Sequence, residues 1–195
     1  GCGAPGSDRG CAATGSALRA PGVFASAGAE SLPINVSAMD VDSDESVRGR
    51  VADIVAQHGP VDILVNNAGI ERRGSVEELA LGEFRAVMET NYFGAIRCIQ
   101  AVLPSMRARG SGCIINITSV SGRISSSPLG PYAASKFALE ALSEALAQEV
   151  KALGIRVAIV QPGIINTDMA SAIAAEAEGS LYPHSRRLAG MFAAS

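Results

Sequence analysis

A tyrosine and a lysine four positions apart, Tyr132 and Lys136, are the residues whose types and spacing most directly suggest chemistry. On a helix, residues i and i+4 lie on one face one turn apart, so the phenol and the ammonium can share a site. A free phenol has a pKa of about 10 and is a poor base at neutral pH, but a nearby cation favours the phenolate. The pair therefore predicts a general acid/base for interconverting an alcohol and a carbonyl. A surface Tyr with an unrelated Lys gives the same spacing by chance.

Small and polar residues follow each predicted strand at the point where the strand ends. There are four such groups: Asp40 after the apolar run 34–39, Asn66-Asn67-Ala68-Gly69 after VDILV (61–65), Ser119 after CIINIT (113–118), and Pro162-Gly163 after IRVAIVQ (155–161). One of them alone is ordinary turn chemistry. Four together predict a ligand site, because ligands of open parallel sheets bind outside the carboxyl ends of the strands.

Helical patterns separate these strands. The sequence predicts helices from Ser43 to about His58, over 82–109, and from Tyr132 to about Leu153, where Gly154 acts as a stop signal. Continuously apolar strands between helices indicate a parallel sheet covered on both faces. The predicted fold is a Rossmann-like, doubly wound α/β sheet in three αβα layers.

The two ends of the chain depart from that pattern. Residues 1–33 are rich in Gly, Ala, Ser and Pro and show no helix or strand period, so they are predicted to form an irregular segment before a catalytic domain over 34–195. Only 39 residues precede Asp40 and 28 follow Thr167. The sheet is therefore expected to be incomplete at both ends.

Composition excludes several classes of function. The net charge of −3, with 4% aromatic residues and no Trp, argues against a nucleic-acid binder, and the clusters Arg72-Arg73 and Arg186-Arg187 are interpreted as solvated or loop charges. The four cysteines show no metal-ligand spacing, so no metal site is expected and the thiols are interpreted as reduced in a cytoplasmic protein. No apolar run approaches the roughly 18 residues of a membrane span.

The combined motifs resemble the classical short-chain dehydrogenase/reductase family over residues 34–168. Asn66 to Gly69 stands as the family's NNAG motif, and Asn91 falls where the family keeps its catalytic Asn. Ser119 lies 13 residues before Tyr132, which is the family's spacing, and Tyr132 with Lys136 is its YxxxK.

The resemblance implies a role for each of these residues. Tyr132 would transfer the proton, Lys136 would lower the phenol pKa and bind the nicotinamide ribose, Ser119 would orient the substrate oxygen, and Asn91 would hold a water. The implied cofactor-binding residues are Asp40, Val41, Asn67, Ala68, Gly69, Tyr132, Lys136, Pro162, Gly163, Ile165 and Thr167. The cofactor would be NADP or NAD, and Arg19, which resembles the basic residue of NADP-preferring members, favours NADP.

The substrate implied is a small alcohol or carbonyl compound. The stretches around Tyr92 and after Lys136 look most like the steroid- and retinol-dehydrogenase-like branch, with a 3-oxoacyl carrier-protein reductase as the alternative. Ser125, Ser126 and Ser127 are expected in a loop beside the substrate, and Tyr182 could line the pocket after a lid beginning at 170–178. The intact protein would be a homo-oligomer.

One motif of the family is missing. Thr14-Gly15 begins like the glycine-rich phosphate loop TGxxxGxG, but the following glycines are absent. Two hypotheses follow: an oxidoreductase represented by a partial chain, or a non-catalytic remnant or interaction module that has lost cofactor binding. The intact set of Asn91, Ser119, Tyr132 and Lys136 favours the first.

Overall fold

A computed structural model describes residues 35–163 and 180–183. The chain divides into two compact units, residues 1–40 and 41–195, and every helix and strand below belongs to the second. Several features predicted from the sequence lie outside the described residues: the irregular segment 1–33 with Thr14-Gly15 and Arg19, the cofactor-binding candidates Ile165 and Thr167, the lid at 170–178, and Arg186-Arg187.

The sheet has three parallel strands in the order β1 (Ile63–Asn66), β2 (Gly112–Ile117) and β3 (Ile155–Val160). Asn66 pairs with Asn116, and Asn116 with Ile159, so the carboxyl ends of the three strands are aligned. Three of the four predicted strands are confirmed, with bounds that differ by no more than two residues. β-Branched residues dominate each run, as is typical of buried parallel strands.

The helices are α1 (Asp44–His58), α2 (Leu81–Met88), α3 (Gly94–Arg109) and α4 (Gly130–Val150). Ser43 caps α1 by accepting a hydrogen bond from the Ser46 amide at 3.2 Å, and Gly59 ends it with a φ of +86°. After α4, a short 3₁₀ turn, Lys151–Leu153, ends at Gly154 with a φ of +72°. Local capping signals thus set the ends of α1 and α4 close to where the sequence predicts them.

The prediction of one continuous helix over 82–109 is wrong in one respect. A π-helical turn, Glu89–Phe93, separates α2 from α3. Such turns insert an extra residue into the helix and occur often at functional sites. Periodicity over a long apolar stretch does not reveal one extra residue, so the sequence predicts a single helix.

The core lies on one face of the sheet. Buried residues of α3 and α4 pack on Ile114 and Ile155, and Val51 of α1 contacts the same cluster, whose members include Ile99, Val102, Met106, Leu146 and Val150. On the opposite face Ile63 and Val65 are 58% and 52% exposed. Burial therefore alternates along the strands, whereas the apolar runs predict burial on both faces. Among the described residues, helices cover one face of the sheet.

The strand predicted at 34–39 is not observed, since residues 35–40 have no regular secondary structure. Val36 is the only strong strand former in 35–39, where Asn35 and Ser37 are polar, and it is 56% exposed. A strand also needs a hydrogen-bonded neighbour, which a sequence pattern does not supply. None of the helices in the described ranges has the length and apolarity needed to cross a membrane.

Candidate active site

Tyr132 and Lys136 occupy the first turns of α4, which begins with Pro131 near its N-terminus. Lys136 is 4% exposed, and its ammonium donates a hydrogen bond to the Ile117 carbonyl at the end of β2, at 2.9 Å. The same nitrogen lies 5.6 Å from the centroid of the Tyr132 ring, within the range of a cation–π contact. The helix thus holds phenol and ammonium together at the carboxyl end of the sheet.

Burial shifts the pKa values of both groups toward their neutral forms. It lowers the pKa of Lys136 from 10.5 to about 8. It also raises the pKa of Tyr132, and this effect exceeds the opposing effect of a hydrogen bond with Ser119. The expectation that the phenol pKa is lowered is therefore wrong for this structure. The reason is that the phenolate would lose its hydration, while the lysine ammonium is directed to the Ile117 carbonyl.

Ser119 directly follows β2 and begins a 3₁₀ turn, Val120–Gly122. Its hydroxyl accepts a hydrogen bond from the Ser121 amide at 3.1 Å and interacts with the Tyr132 phenol, whose pKa it lowers. The Val120 amide donates to the Pro162 carbonyl at 3.0 Å. The serine, the tyrosine and the segment after β3 therefore meet at one edge of the sheet.

Asn91 lies inside the π-helical turn and is 1% exposed. Its Nδ2 donates to the Ile70 carbonyl and to Ser135 Oγ, both at 2.9 Å, and its Oδ1 accepts from the Ile70 amide at 2.7 Å. Ser135 Oγ in turn donates to the Tyr132 carbonyl at 2.7 Å. Asn91 thus ties the loop after β1 to the helix that carries Tyr132 and Lys136.

The cofactor-binding candidates at the ends of β1 and β3 surround this cluster. A Cβ added to Gly69 would lie 3.3 Å from Asn91 Oδ1 and 3.6 Å from Lys136 Nζ. Gly163 is exposed, and a Cβ there would meet no atom of the described residues within 4 Å. Asn67 is also exposed, and Ala68 and Pro162 are half-buried. The carboxyl edge of the sheet therefore offers an open surface beside the buried lysine.

The adenine-binding candidates lie in different units of the chain. Asp40 is the last residue of the first unit. Val41 belongs to the second unit, where its carbonyl accepts from Arg97 Nη1 at 3.2 Å and its side chain packs on Gly94, at the start of α3. Within the described parts of the chain, no group of His, Cys, Asp or Glu is arranged to hold a metal ion.

An ion pair that the sequence did not identify acts on the phenol. Arg73 pairs with Glu71 directly after the NNAG motif, and both side chains are only 12% exposed. The Glu71 charge raises the pKa of Tyr132 and the Arg73 charge lowers it, both less strongly than burial. Arg73 lies in a loop, as interpreted, but its side chain is largely buried rather than solvated, whereas Arg72, 42% exposed and paired with Glu83, fits a solvated charge. The available signal was the position of Glu71 and Arg73 in the loop that follows β1, five and seven positions after its end.

A cleft of about 620 Å³ lies next to these loops. Its lining comes from Gly74, Ser75, Val76, Glu77, Ser125, Ser126, Ser127, Pro128, Gly130 and Tyr182. The Tyr182 hydroxyl donates to Glu77, and Ser180 Oγ donates to Glu78 Oε2 at 2.7 Å. The structure thus places Tyr182 and the three loop serines around one cleft. Its lining includes Gly130, which is two positions before Tyr132 in the sequence.

Comparisons with known proteins agree with this geometry. The family model described as short chain dehydrogenase matches residues 11–178. Dehydrogenase/reductase SDR family member 7B of Danio rerio is 43% identical over 143 residues, which cover 73% of this chain and 46% of that protein. Human retinol dehydrogenase 8 is 40% identical over 150 residues, covering 77% of this chain and 47% of that enzyme. The chain therefore spans about half the length of these curated relatives.

Solved structures show the same fold. A gluconate 5-dehydrogenase from Burkholderia cenocepacia, in complex with NADP and tartrate, matches with a TM-score of 0.67 and 31% identity over 80% of this chain and 65% of its own. An NAD⁺-bound xylitol dehydrogenase matches with a TM-score of 0.69 and 31% identity over 75% of this chain and 58% of its own. The parallel sheet with flanking helices is the Rossmann-like αβα fold of these proteins. The chain belongs to the short-chain dehydrogenase/reductase family.

Proposed function

We propose that the protein is an NAD(P)-dependent oxidoreductase that interconverts an alcohol and a ketone or aldehyde, with Tyr132 as general acid/base. One observation carries the proposal: the Tyr132 phenol lies beside the buried ammonium of Lys136, and its pKa responds to the Ser119 hydroxyl. A hydroxyl and a phenol that converge on one point can both bond a single substrate oxygen.

Each residue of this cluster has a role in moving one proton. Tyr132 donates its proton to the carbonyl oxygen during reduction and accepts it during oxidation. Its raised pKa favours the protonated phenol, which suits reduction near neutral pH. Ser119 orients the substrate oxygen and stabilises the charge that develops on it.

Lys136 and Asn91 support the exchange of that proton with solvent. Lys136 has a pKa of about 8, so its ammonium can lose and regain a proton near neutral pH. Both Nδ2 protons of Asn91 are engaged. Among the described residues its Oδ1 accepts one hydrogen bond, from the Ile70 amide, and an amide oxygen has two lone pairs. The second lone pair can hold the water that links Lys136 to solvent.

The residues at the carboxyl edge fit a nicotinamide dinucleotide. Gly69 has no side chain to fill the space beside Asn91 and Lys136, since a Cβ there would lie 3.3 Å from Asn91 Oδ1. Among the described residues, Gly163 faces open space. The nicotinamide end would be held by Asn67, Ala68, Gly69, Tyr132, Lys136, Pro162 and Gly163, followed by Ile165 and Thr167. The adenine would be contacted by Asp40 and Val41. The cofactor supplies the hydride. The solved relatives bind NADP in one case and NAD⁺ in another, and Arg19 favours NADP for this protein.

The substrate proposed is a small alcohol or carbonyl of the retinoid or steroid type. The similarity to a retinol dehydrogenase supports this choice, and a 3-oxoacyl carrier-protein substrate is the alternative within the family. We further propose a cytoplasmic homo-oligomer for the intact protein. Because the chain covers about half of its relatives' length, these statements concern the whole protein.

Cofactor binding and Tyr132→Phe together test the function. Titration with NADPH and NADH, followed by cofactor fluorescence, should show saturable binding. Loss of the phenol proton should then lower kcat by about 10²–10⁴-fold while cofactor affinity is retained. Tyr92→Phe, which lies outside the cluster, is the matched control. A protein that binds neither cofactor is the non-catalytic interaction module, and the proposal fails.

A further inference from the structure

Glu140 is a buried carboxylate that the proposed chemistry does not use. It lies one helical turn beyond Lys136 on α4, at the same four-residue interval that separates Lys136 from Tyr132. Its side chain is 4% exposed. A buried charge is strongly unfavourable unless ion pairs and hydrogen bonds compensate it, so its partners indicate what it stabilises.

The Glu140 carboxylate has three partners, two from the segment after β2 and one from the segment after β3. Its Oε1 accepts from Thr118 Oγ1 at 2.5 Å and from Gln161 Nε2 at 2.8 Å. Its Oε2 forms an ion pair with Arg123 Nη2 at 3.0 Å. Arg123 is 53% exposed and also bonds Glu144 on the helix surface at 2.8 Å.

These partners lie on both sides of Ser119. Thr118 directly precedes the serine, and Arg123 directly follows the turn that the serine begins. That turn also packs on the glutamate, since a Cβ added to Gly122 would lie 3.0 Å from Glu140 Cγ. Gln161 directly precedes Pro162, whose carbonyl accepts from the Val120 amide at 3.0 Å. One carboxylate therefore fixes the whole strand-end segment against α4.

We propose that Glu140 is a positioning residue that holds segment 118–123 on α4 so that the Ser119 hydroxyl reaches the Tyr132 phenol. Its effect on catalysis rests on the proposed function, whereas its effect on the position of Ser119 does not. Glu140 acts through Thr118 and Arg123 and needs no contact with substrate.

Glu140→Gln tests the proposal, with Glu144→Gln as matched control. The first substitution keeps the size of the side chain but removes the charge that compensates Arg123 and replaces one acceptor oxygen by a donor. The second removes the exposed partner of the same arginine. Titration of ¹³Cζ-labelled tyrosine by NMR follows the phenol directly, because the chain has three tyrosines and Tyr132→Phe assigns the signal.

The pKa of Tyr132 should rise in Glu140→Gln and stay unchanged in Glu144→Gln. The Ser119 hydrogen bond lowers that pKa, so its weakening raises it. Mere loss of a negative charge would shift the pKa downward, so the sign separates positioning from a direct charge effect. Amide hydrogen exchange at Thr118 and Val120 should become about tenfold faster, and kcat should fall by about 10²-fold.

An unchanged or lowered Tyr132 pKa in folded Glu140→Gln overturns the proposal. If that variant does not fold, Thr118→Val removes one donor at nearly constant volume and should give the same upward shift; no shift there overturns it equally. Absence of any oxidoreductase activity in the parent protein refutes the proposed function instead, because the titration and the exchange rates still report where Ser119 lies.

Discussion

Burial at Tyr132 and Lys136 favours the neutral form of each side chain. The phenol pKa rises, which keeps the proton on Tyr132, and the ammonium pKa falls to about 8, near the range where proton exchange is useful. At neutral pH the lysine is nevertheless charged inside the protein, held by its hydrogen bond to the Ile117 carbonyl. The site therefore destabilises the fold that carries it, as is common for active sites.

Lys136→Met should make the protein more stable at about pH 7 and inactive. A pKa lowered from 10.5 to about 8 corresponds to about 3 kcal/mol at 1.36 kcal/mol per pH unit, and loss of the bond to Ile117 offsets part of it. We expect a net gain of about 1–2 kcal/mol in the free energy of unfolding, measured by urea denaturation.

The pH dependence of that gain has a defined sign. Since folding lowers the lysine pKa, the stability that this group contributes is present above pH 10.5 and is lost as the pH falls through about 8. The advantage of the Met variant should shrink as the pH is raised from 8 toward 10.5. Lys151→Met, at an exposed lysine, is the control. A gain that does not change with pH, or a less stable variant at about pH 7, contradicts the prediction.

At the scale of elements, the loop between β1 and α2 connects the two sides of the site. Its start is fixed where Asn91 bonds both the amide and the carbonyl of Ile70. Its end is fixed where the Gly74 amide donates to the Pro128 carbonyl at 3.1 Å, just before α4. Glu71 and Arg73 lie between these anchors, so their charges stay close to the phenol.

Neutralising these two charges should move the Tyr132 pKa in opposite directions. Glu71→Gln should lower it, because the Glu71 charge raises it, and Arg73→Gln should raise it. The pH at which oxidation reaches half its maximal rate should shift in the same sense, since the phenolate is the base. Arg72→Gln is the control, because it removes the more exposed pair with Glu83 and a hydrogen bond to the Glu71 carbonyl but leaves the charges of Glu71 and Arg73 in place. Shifts of the same sign in both variants would exclude an electrostatic effect of the loop.

At the scale of the whole molecule, the two faces of the sheet differ in their surroundings. The helices α1, α3 and α4 cover the face that carries Ile114, and the side chains of the alternate positions point the other way. Cys98 lies in α3 under the covered face and is 4% exposed, while Cys113 is a half-buried residue of β2. The two thiols therefore lie on opposite sides of the sheet.

Cys113 should react with a maleimide at least about tenfold faster than Cys98 in the folded protein near neutral pH. Burial raises the pKa of the Cys98 thiol, so little reactive thiolate forms there, and access is also limited. Peptide mapping by mass spectrometry separates these two cysteines from Cys2 and Cys11. Full labelling in denaturant is the control, and faster reaction of Cys98 would show that α3 does not pack as described.

Sequence-local signals were sufficient for several parts of the fold and site. The Ser43 cap and Gly59 predict α1, and the alternation of apolar strands with helices predicts a parallel sheet. Parallel strands align their carboxyl ends, so the strand-end groups, Ser119 among them, were expected at one edge. The family resemblance added Asn91, Tyr132 and Lys136 to that site. These features depend on neighbours a few residues away or on the topology of one fold class.

Other properties were decided only by tertiary structure. Thr118 and Glu140 are 22 positions apart, and Asn91 and Ile70 are 21 apart, so no local pattern predicts their contacts. The π-helical turn, the exposed second face of the sheet and the burial of Arg73 likewise depend on what packs around each segment. The sequence by itself determined the groups to which we assign the proposed chemistry. Only the folded structure decided their pKa values, because desolvation depends on the whole volume around a group rather than on its neighbours in the chain.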